Sequence, residues 1–242
     1  MVDGAMYDRS ARERKAQTIL AVLHDFSGSD TQSLQLLDIG ASTGIIDSFL
    51  ADHFLKVIGI DIDKEAIEFA KNSFLKSNLE FRVADAMNLE FSDNEFDVVV
   101  CTHIYEHVSD ADEMIREIFR VLKPGGICYF AAGNRLSIME PHYKLPFLSI
   151  LPRSLAHLYM KIAGKGSHYH EKHLMLAGLK KLVSPFVVHD YTKRIIEDPE
   201  KFSAEYMLKP GSLKHNMAKF IATYIYWFCH SYIWIIEKPD IK

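Results

Sequence analysis

Over the first 133 residues, short apolar runs alternate with stretches whose apolar positions recur at helical spacing. Residues 6–26 read as a helix, with Ile19, Leu20, Val22 and Leu23 as its apolar stretch. Residues 34–39 form an apolar run, then a glycine-containing turn, then a second helical stretch to about His53. Residues 56–60 are again apolar, and Asp63 caps a helix in which Ala66, Ile67, Ala70 and Phe74 share a face. Residues 79–84 alternate as a strand does, and 96–101 are mostly apolar and β-branched. Ser109 and Asp110 offer N-caps, with Asp112 and Glu113 as capping-box partners, to a helix carrying Met114, Ile115, Ile118, Phe119 and Leu122. Lys123-Pro124-Gly125-Gly126 is expected to stop that helix, and residues 127–132 to form a further strand.

Apolar strands separated by amphipathic helices predict an α/β fold, a doubly wound parallel sheet covered on both faces. After residue 133 the pattern loosens. Pro141, Pro146 and Pro152 exclude a long helix before Ser154; 173–183 and 213–228 read as helices, 186–191 and 232–236 as strands. Three segments follow: 1–133 as a cofactor-binding core, 134–184 as an inserted lid or substrate segment, and 185–242 as two last strands around a helix.

Composition adds a contrast. The 242 residues carry a net charge of −4, yet residues 1–133 hold 12 Lys and Arg against 23 Asp and Glu, and the remainder 16 against 9. All eight prolines fall at or after Pro124, and ten of the twelve histidines at or after His103. Cys101, Cys128 and Cys229 are too few and scattered for a disulfide framework or a Cys-based zinc site, which fits a reducing cytoplasm. The first thirty residues lack the apolar core of a signal peptide.

In doubly wound sheets ligands sit beyond the carboxyl ends of the strands, so the chemistry is read there. The first strand ends in Asp38-Ile39-Gly40-Ala41-Ser42-Thr43-Gly44, a turn whose glycines let the backbone approach a ligand. Asp61 ends the next strand, 17 residues after Gly44 and near the ~20 expected of an acid that accepts ribose hydroxyls. Asp85 ends the third and can accept from an exocyclic amine. Three carboxylates at successive strand ends suit a nucleoside without phosphates.

Leu37-Asp38-Ile39-Gly40, the acid of Gly59–Asp61, Asp85, Phe96-Asp97-Val98-Val99 and Leu122-Lys123-Pro124-Gly125-Gly126 together resemble class I S-adenosylmethionine-dependent methyltransferases, in the group of small-molecule and quinone-biosynthesis enzymes (methyltransferase type 11). The resemblance covers residues 34–132. It implies a Rossmann-like seven-stranded sheet whose last strand, at 232–236, is antiparallel, with a helical lid, and S-adenosyl-L-methionine as cofactor. It implies that Asp38, Gly40, Ser42 and Gly44 shape the methionine end, Asp61 and Ile62 the ribose site, Asp85 and Ala86 the adenine site, and that Thr102 and His103 face cofactor and substrate. Ser42 replaces the usual middle glycine. As a serine it is expected to need an ordinary backbone conformation and to crowd the cofactor, although its hydroxyl can bind the methionine carboxylate.

Methyl transfer to a hydroxyl needs a base, and histidine is the natural one. His103, by topology, and His142, in the inserted segment, are the catalytic candidates; His107, in Glu106-His107-Val108, reads at least as readily as structural. His170 and His173, flanking Glu171, suggest a metal, but without a second ligand cluster in view the stretch reads as a polar lid or helix start, and no metal is assigned. Cys101-Thr102-His103-Ile104 lacks the Asp/Asn-Pro-Pro-Tyr turn of base-modifying methyltransferases, Cys101 is no Pro-Cys nucleophile, and no dense basic run is present. Nucleic acid is therefore excluded as substrate.

The positive second half presents a rim suited to an anionic acceptor. Residues 220–236 carry no formal charge over seventeen positions, at the lower limit for a membrane span. They are needed for the closing strand, so a lid lying on a membrane surface is the alternative to plain core packing. The stretch Asn134-Arg135, Glu140-Pro141-His142-Tyr143 and Leu145-Pro146-Phe147 resembles methyltransferases encoded with glycan-assembly enzymes, implying a lipid-linked or phosphorylated sugar. The expectation is a cytoplasmic methyltransferase, possible contact with a membrane included, acting on a hydroxyl of a small or lipid-linked glycan intermediate. The alternatives are a quinone or polyprenol acceptor, or a protein that binds the cofactor without catalysis.

Overall fold

The computed structural model describes residues 8–28, 30–140 and 142–240. Five strands run parallel in order of winding: β1 (Gln35–Ile39), β2 (Lys56–Asp61), β3 (Leu79–Val83), β4 (Phe96–Thr102) and β5 (Leu122–Gly133). Two short strands, β6 (Met139–Glu140) and β7 (Leu145–Pro146), form a separate hairpin. The main sheet is completed by β8 (Val187–Asp190) and β9 (Ser231–Glu237), giving the order β3-β2-β1-β4-β5-β9-β8. β9 runs antiparallel to both neighbours, as expected of the strand placed at 232–236.

The period of two along each strand sorts side chains onto two buried faces. Leu36, Val98, Val100 and Tyr129 pack under α1 (Arg9–Ser27), against Ile19, Leu20, Val22 and Leu23. Leu37, Ile39, Val99, Cys101 and Phe130 face the other way, onto Met114, Ile118 and Val121 of α4 (Ala111–Val121). α2 (Ile45–Leu50) and α3 (Lys64–Ser73) complete the winding. The caps sit where the sequence puts them: Asp63 accepts from the N–H groups of Glu65 and Ala66, and Asp110 from that of Glu113.

Three boundaries differ. Met6, where the pattern starts the first helix, lies outside the described residues, and α1 is N-capped by Asp8. Lys123 to Gly126 do not separate helix from strand: they bulge out of β5, whose pairing with β4 jumps from Phe96–Leu122 to Val98–Ile127. The aromatic stretch at 213–228 is helical only over α8 (Leu213–Tyr224), ending in a 3-10 turn at Tyr226–Phe228. An unexpected helix, α7 (Tyr191–Glu197), follows β8, capped by Asp190. Between β5 and β8 lie α5 (Arg153–Ile162) and α6 (Leu176–Leu182). The first of these builds a small core of its own from Leu145, Leu148, Ala156, Met160 and Tyr169.

Candidate active site

A cavity of about 530 Å³ opens beyond the carboxyl ends of β1, β2, β4 and β5. Of the residues singled out from the sequence, Gly40, Ser42, Asp61, Thr102, His103 and His142 line it. Its floor is the turn after β1. Gly40, Ser42 and Gly44 all have positive φ, at 90°, 52° and 74°. The expectation that Ser42 needs an ordinary backbone is thus corrected: the turn forces the serine into the left-handed region. Its Oγ is buried without a hydrogen-bond partner among the described residues. At Gly44 a side chain has no room, because a Cβ would lie 2.5 Å from the Phe81 ring and 2.8 Å from Ala70.

Asp61 ends β2 and ties this turn to it: Oδ2 accepts from the Ser42 N–H at 2.8 Å, and Oδ1 from the Asp63 N–H at 2.9 Å. Each carboxylate oxygen keeps lone-pair capacity for a further donor.

The other acids are placed differently. Asp38 is only 3% exposed within β1 and does not line the cavity. Burial pushes its carboxyl up to about 7, against the pull of Lys15. Behind it lies the fully buried Asp47, raised well above the usual carboxylate range by burial and by Asp38. The two carboxyls share a pocket too dry for both to ionise. Asp85 and Ala86 lie beyond β3 at half-burial, where Asp85 Oδ1 accepts from the Met87 N–H at 2.9 Å. Neither lines the cavity, and nor do Gly44 or Ile62, the latter 71% exposed.

Sequence reasoning missed the contribution of α1. Arg12 and Lys15 project from it into the cavity wall, and Lys15 Nζ donates to Thr102 Oγ1 at 3.0 Å. Burial, with Arg12 nearby, lowers the Lys15 ammonium to about 8, while Asp38 and Glu106 oppose the shift. No motif marks these cations; one helical turn between Arg12 and Lys15 was the available signal.

The rest of the cavity wall is rich in imidazole. His103, His107, His142, His173 and His230 all line the cavity. His103 has φ 59°, a strained backbone for a non-glycine residue, and its Nδ1 stands 3.4 Å from Oε1 of the buried Glu106. Burial alone would raise Glu106, but His103 holds it below its ordinary value. Glu140, without solvent exposure, accepts from the Tyr143 N–H and sits 2.8 Å from His142 Nδ1. Against the cost of burial, His142, His173 and Tyr143 bring its carboxyl down to about 2. His173 was read as a helix start; it precedes α6 and is turned inward, with its ring 3.2 Å from where a Cβ on Gly133 would be.

A second cavity of about 610 Å³ adjoins the first, and His230 and Ser231 line both. Its wall is mostly apolar, from Ile195, Leu208, Met217, Ile221 and Ile233. α8 exposes Leu213, Met217, Phe220 and Tyr224 along one face, the first two at the edge of this cavity, with Trp227 beyond. No helix among the described residues is long and apolar enough to cross a membrane.

Comparison with known proteins agrees with this geometry. Residues 37–130 match a family profile described as a methyltransferase domain. Over 151 residues the chain is 28% identical to a ubiquinone/menaquinone biosynthesis C-methyltransferase of Desulfotalea psychrophila, covering 58% of this chain and 61% of that protein. It is 33% identical over 142 residues to a ubiquinone biosynthesis O-methyltransferase of Pseudomonas fluorescens, covering 57% of each. The chain thus spans about three-fifths of the length of these curated relatives. Among solved structures it shares its fold with an S-adenosylmethionine-dependent methyltransferase of Mesorhizobium loti (TM-score 0.56, 16% identity, covering 86% of this chain and 92% of that one). It also resembles a phosphoethanolamine N-methyltransferase of Haemonchus contortus in complex with S-adenosylmethionine (TM-score 0.54, 21% identity, covering 92% and 52%). Residues 37–130 thus match a methyltransferase domain, and the chain shares the fold of S-adenosylmethionine-dependent methyltransferases.

Proposed function

We propose that the chain catalyses O-methylation of an amphiphilic acceptor: a ring hydroxyl presented to the polar cavity, with an apolar tail in the adjoining one. The observation that carries this is the junction at His230 and Ser231, where a polar cavity of about 530 Å³ meets an apolar one of about 610 Å³. Such a pair suits a quinol- or polyprenol-type molecule better than a sugar. The ubiquinone-pathway names of the relatives support the same choice, and the glycan intermediate expected from residues 134–147 has no counterpart among them.

On the cofactor side the residues present fit S-adenosylmethionine. Asp61 offers two oxygens for ribose hydroxyls, Asp38 a carboxyl beneath the methionine ammonium, and Arg12, Lys15 and the unpartnered Ser42 Oγ donors for its carboxylate. Asp85 and Ala86, beyond β3 and outside the cavity lining, are assigned to the adenine end by the resemblance alone. When bound, the cofactor supplies an electrophilic methyl whose bonding pair to sulfur stays on sulfur as the acceptor oxygen takes it.

His103 serves as base. Glu106 holds the Nδ1 side of its imidazole, which leaves Nε2 free to take the acceptor's proton. Aligning the two reactants in one walled cavity supplies the larger share of the acceleration, roughly 7–11 kcal/mol in well-oriented cases.

An exposed apolar face on α8, with Lys214 and Lys219 on the same helix and Lys209 before it, suits a peripheral site on an anionic lipid surface from which a lipid-soluble acceptor enters. Radiolabelled transfer to hydroxylated aromatic acceptors with and without an isoprenoid tail tests the proposal. Preference for the tailed acceptor, lost in Ala218→Trp, which fills the apolar cavity, is the expected result. Equal transfer to both, or none to either, overturns it.

A further inference from the structure

We propose that Glu140, His142 and His173 form a binding site for a divalent transition cation of the zinc class, with its open coordination position turned into the polar cavity. The three side chains converge although His173 is far from the other two in the chain. Two segments supply them: Glu140 ends β6 and His142 follows it in the turn to β7, while His173 lies in the segment before α6. One ligand atom from each lies within 4.8 Å of the others.

The spacing suits a small cation. Glu140 Oε1 is 2.8 Å from His142 Nδ1 and 3.6 Å from His173 Nε2, and donors around a tetrahedral zinc are about 3.3 Å apart. Glu140 Oε2 is already held by the Tyr143 N–H at 2.7 Å, which fixes the carboxylate and aims its other oxygen at the two imidazoles.

His173 supplies the independent observation. Its side chain is only 3% exposed, and neither ring nitrogen has a hydrogen-bond partner among the described residues. Buried imidazoles ordinarily find partners, and one whose nearest acceptor, Glu140 Oε1 at 3.6 Å, lies beyond hydrogen-bond distance is unusual. The ring is not idle filler, since it packs on Gly133 so closely that a Cβ there would stand 3.2 Å away. The Tyr105 ring meets it edge-on, at 6.5 Å between centroids. Its orientation toward Glu140 is therefore set by the surrounding fold.

The donor set is two imidazoles and one carboxylate, the combination of catalytic zinc sites that leave a position for solvent or substrate. His142 and His173 both line the polar cavity, whereas Glu140 stands behind them, so the remaining position faces the acceptor. A cation there would polarise an acceptor oxygen and favour its deprotonated form. That consequence rests on the methyl-transfer reading; the binding itself does not. The competing arrangement is a metal-free latch in which His142 and Glu140 share a proton and fasten the lid.

Tag-free protein, stripped with a chelator and dialysed, is titrated with Zn²⁺ by calorimetry and with Co²⁺ by visible absorption, and S-adenosylhomocysteine affinity is measured on the same samples. One equivalent of Zn²⁺ is expected, together with the intense ligand-field bands of a low-coordinate Co²⁺ site. His142→Ala, at the cavity rim and so tolerant of truncation, should weaken Zn²⁺ binding by about tenfold or more. Glu140→Gln and His173→Ala should do the same, and His170→Ala, outside the cluster, should not. S-adenosylhomocysteine affinity should stay unchanged in all four, showing that each is folded. Substoichiometric Zn²⁺ binding by the parent, or equal binding by parent and His142→Ala, overturns the site whatever becomes of the methyl-transfer reading. Loss of S-adenosylhomocysteine binding by the parent with Zn²⁺ binding intact overturns that reading and leaves the site standing.

Discussion

Lys15 Nζ donates to Thr102 Oγ1 across 3.0 Å, joining the first helix to the end of β4 although 87 positions separate them in the chain. The contact brings a cation to the wall of the polar cavity, where the proposed function places the cofactor's carboxylate. Lys15→Met keeps the aliphatic packing and removes the charge. It should weaken S-adenosylhomocysteine binding by about 1.5–3 kcal/mol, the range for a hydrogen bond to a charged group, when measured by calorimetry. Unchanged affinity would remove α1 from the binding site.

Asp61 is the acid best placed for the ribose, since its two oxygens are each anchored by one backbone N–H and point at the cavity. Asp61→Ala should cost about 1.5–3 kcal/mol of cofactor affinity. Because the Ser42 N–H loses its partner too, some relaxation of the strained turn should accompany it, visible as faster amide exchange at Ser42. A variant that binds as the parent does would show that the ribose lies elsewhere.

Asp38 links folding to pH. Its folded pKa, about 7, stands above the ordinary carboxylate value of 3.8, so the folded state holds a proton that the unfolded state has released between those limits. The stabilisation is complete at low pH and is lost as the pH rises through about 7, at most about 1.4 kcal/mol per unit. Asp38→Asn, which cannot ionise, should gain stability relative to the parent from pH 5 to pH 8 in thermal melts while binding cofactor more weakly. A difference in melting temperature independent of pH would refute the assignment.

His103→Gln tests the base. Turnover should fall by about 10²–10⁴-fold, the usual contribution of general base catalysis, with cofactor affinity preserved. The residual rate should regain activity with acceptors of lower hydroxyl pKa, which need less help. A drop confined to KM would instead make His103 a binding residue.

Gly44→Ala probes the turn. The substitution meets the Phe81 ring and must adopt φ 74°, so it should destabilise the fold by about 1–3 kcal/mol in denaturant titration. Full stability would mean that Phe81 can move aside and that the turn tolerates a side chain.

Local pattern disclosed the sheet and hid much of the site. β1, β2 and β4 could be read because each apolar strand is followed by its own helix, β3 because its residues alternate, and Asp63 and Asp110 marked helix starts by side-chain chemistry that acts over three residues. The bulge of Lys123 to Gly126 was hidden, since Pro-Gly-Gly signals a break equally well inside a strand and before one. At the site, Gly40 and Asp61 were legible from their spacing. Asp38 was recognised as an acid, but its burial behind the turn, next to Asp47, depends on a tertiary pairing that no spacing encodes. His173 and Glu140 are 33 positions apart, and only the path of the lid brings them to 3.6 Å.

The position of β9 governs the order in which these parts can assemble. β8 has no hydrogen-bonded neighbour in the main sheet other than β9, and β9 is also the neighbour that completes β5. During synthesis the residues of β8 must therefore wait, unpaired, until some forty more have been joined and the later strand slides between its two flanks. Ser231, the first residue of that strand, and His230 before it wall both cavities, so neither compartment is closed while β9 is missing. The nascent cofactor end can fold early, but competence toward an acceptor arrives last.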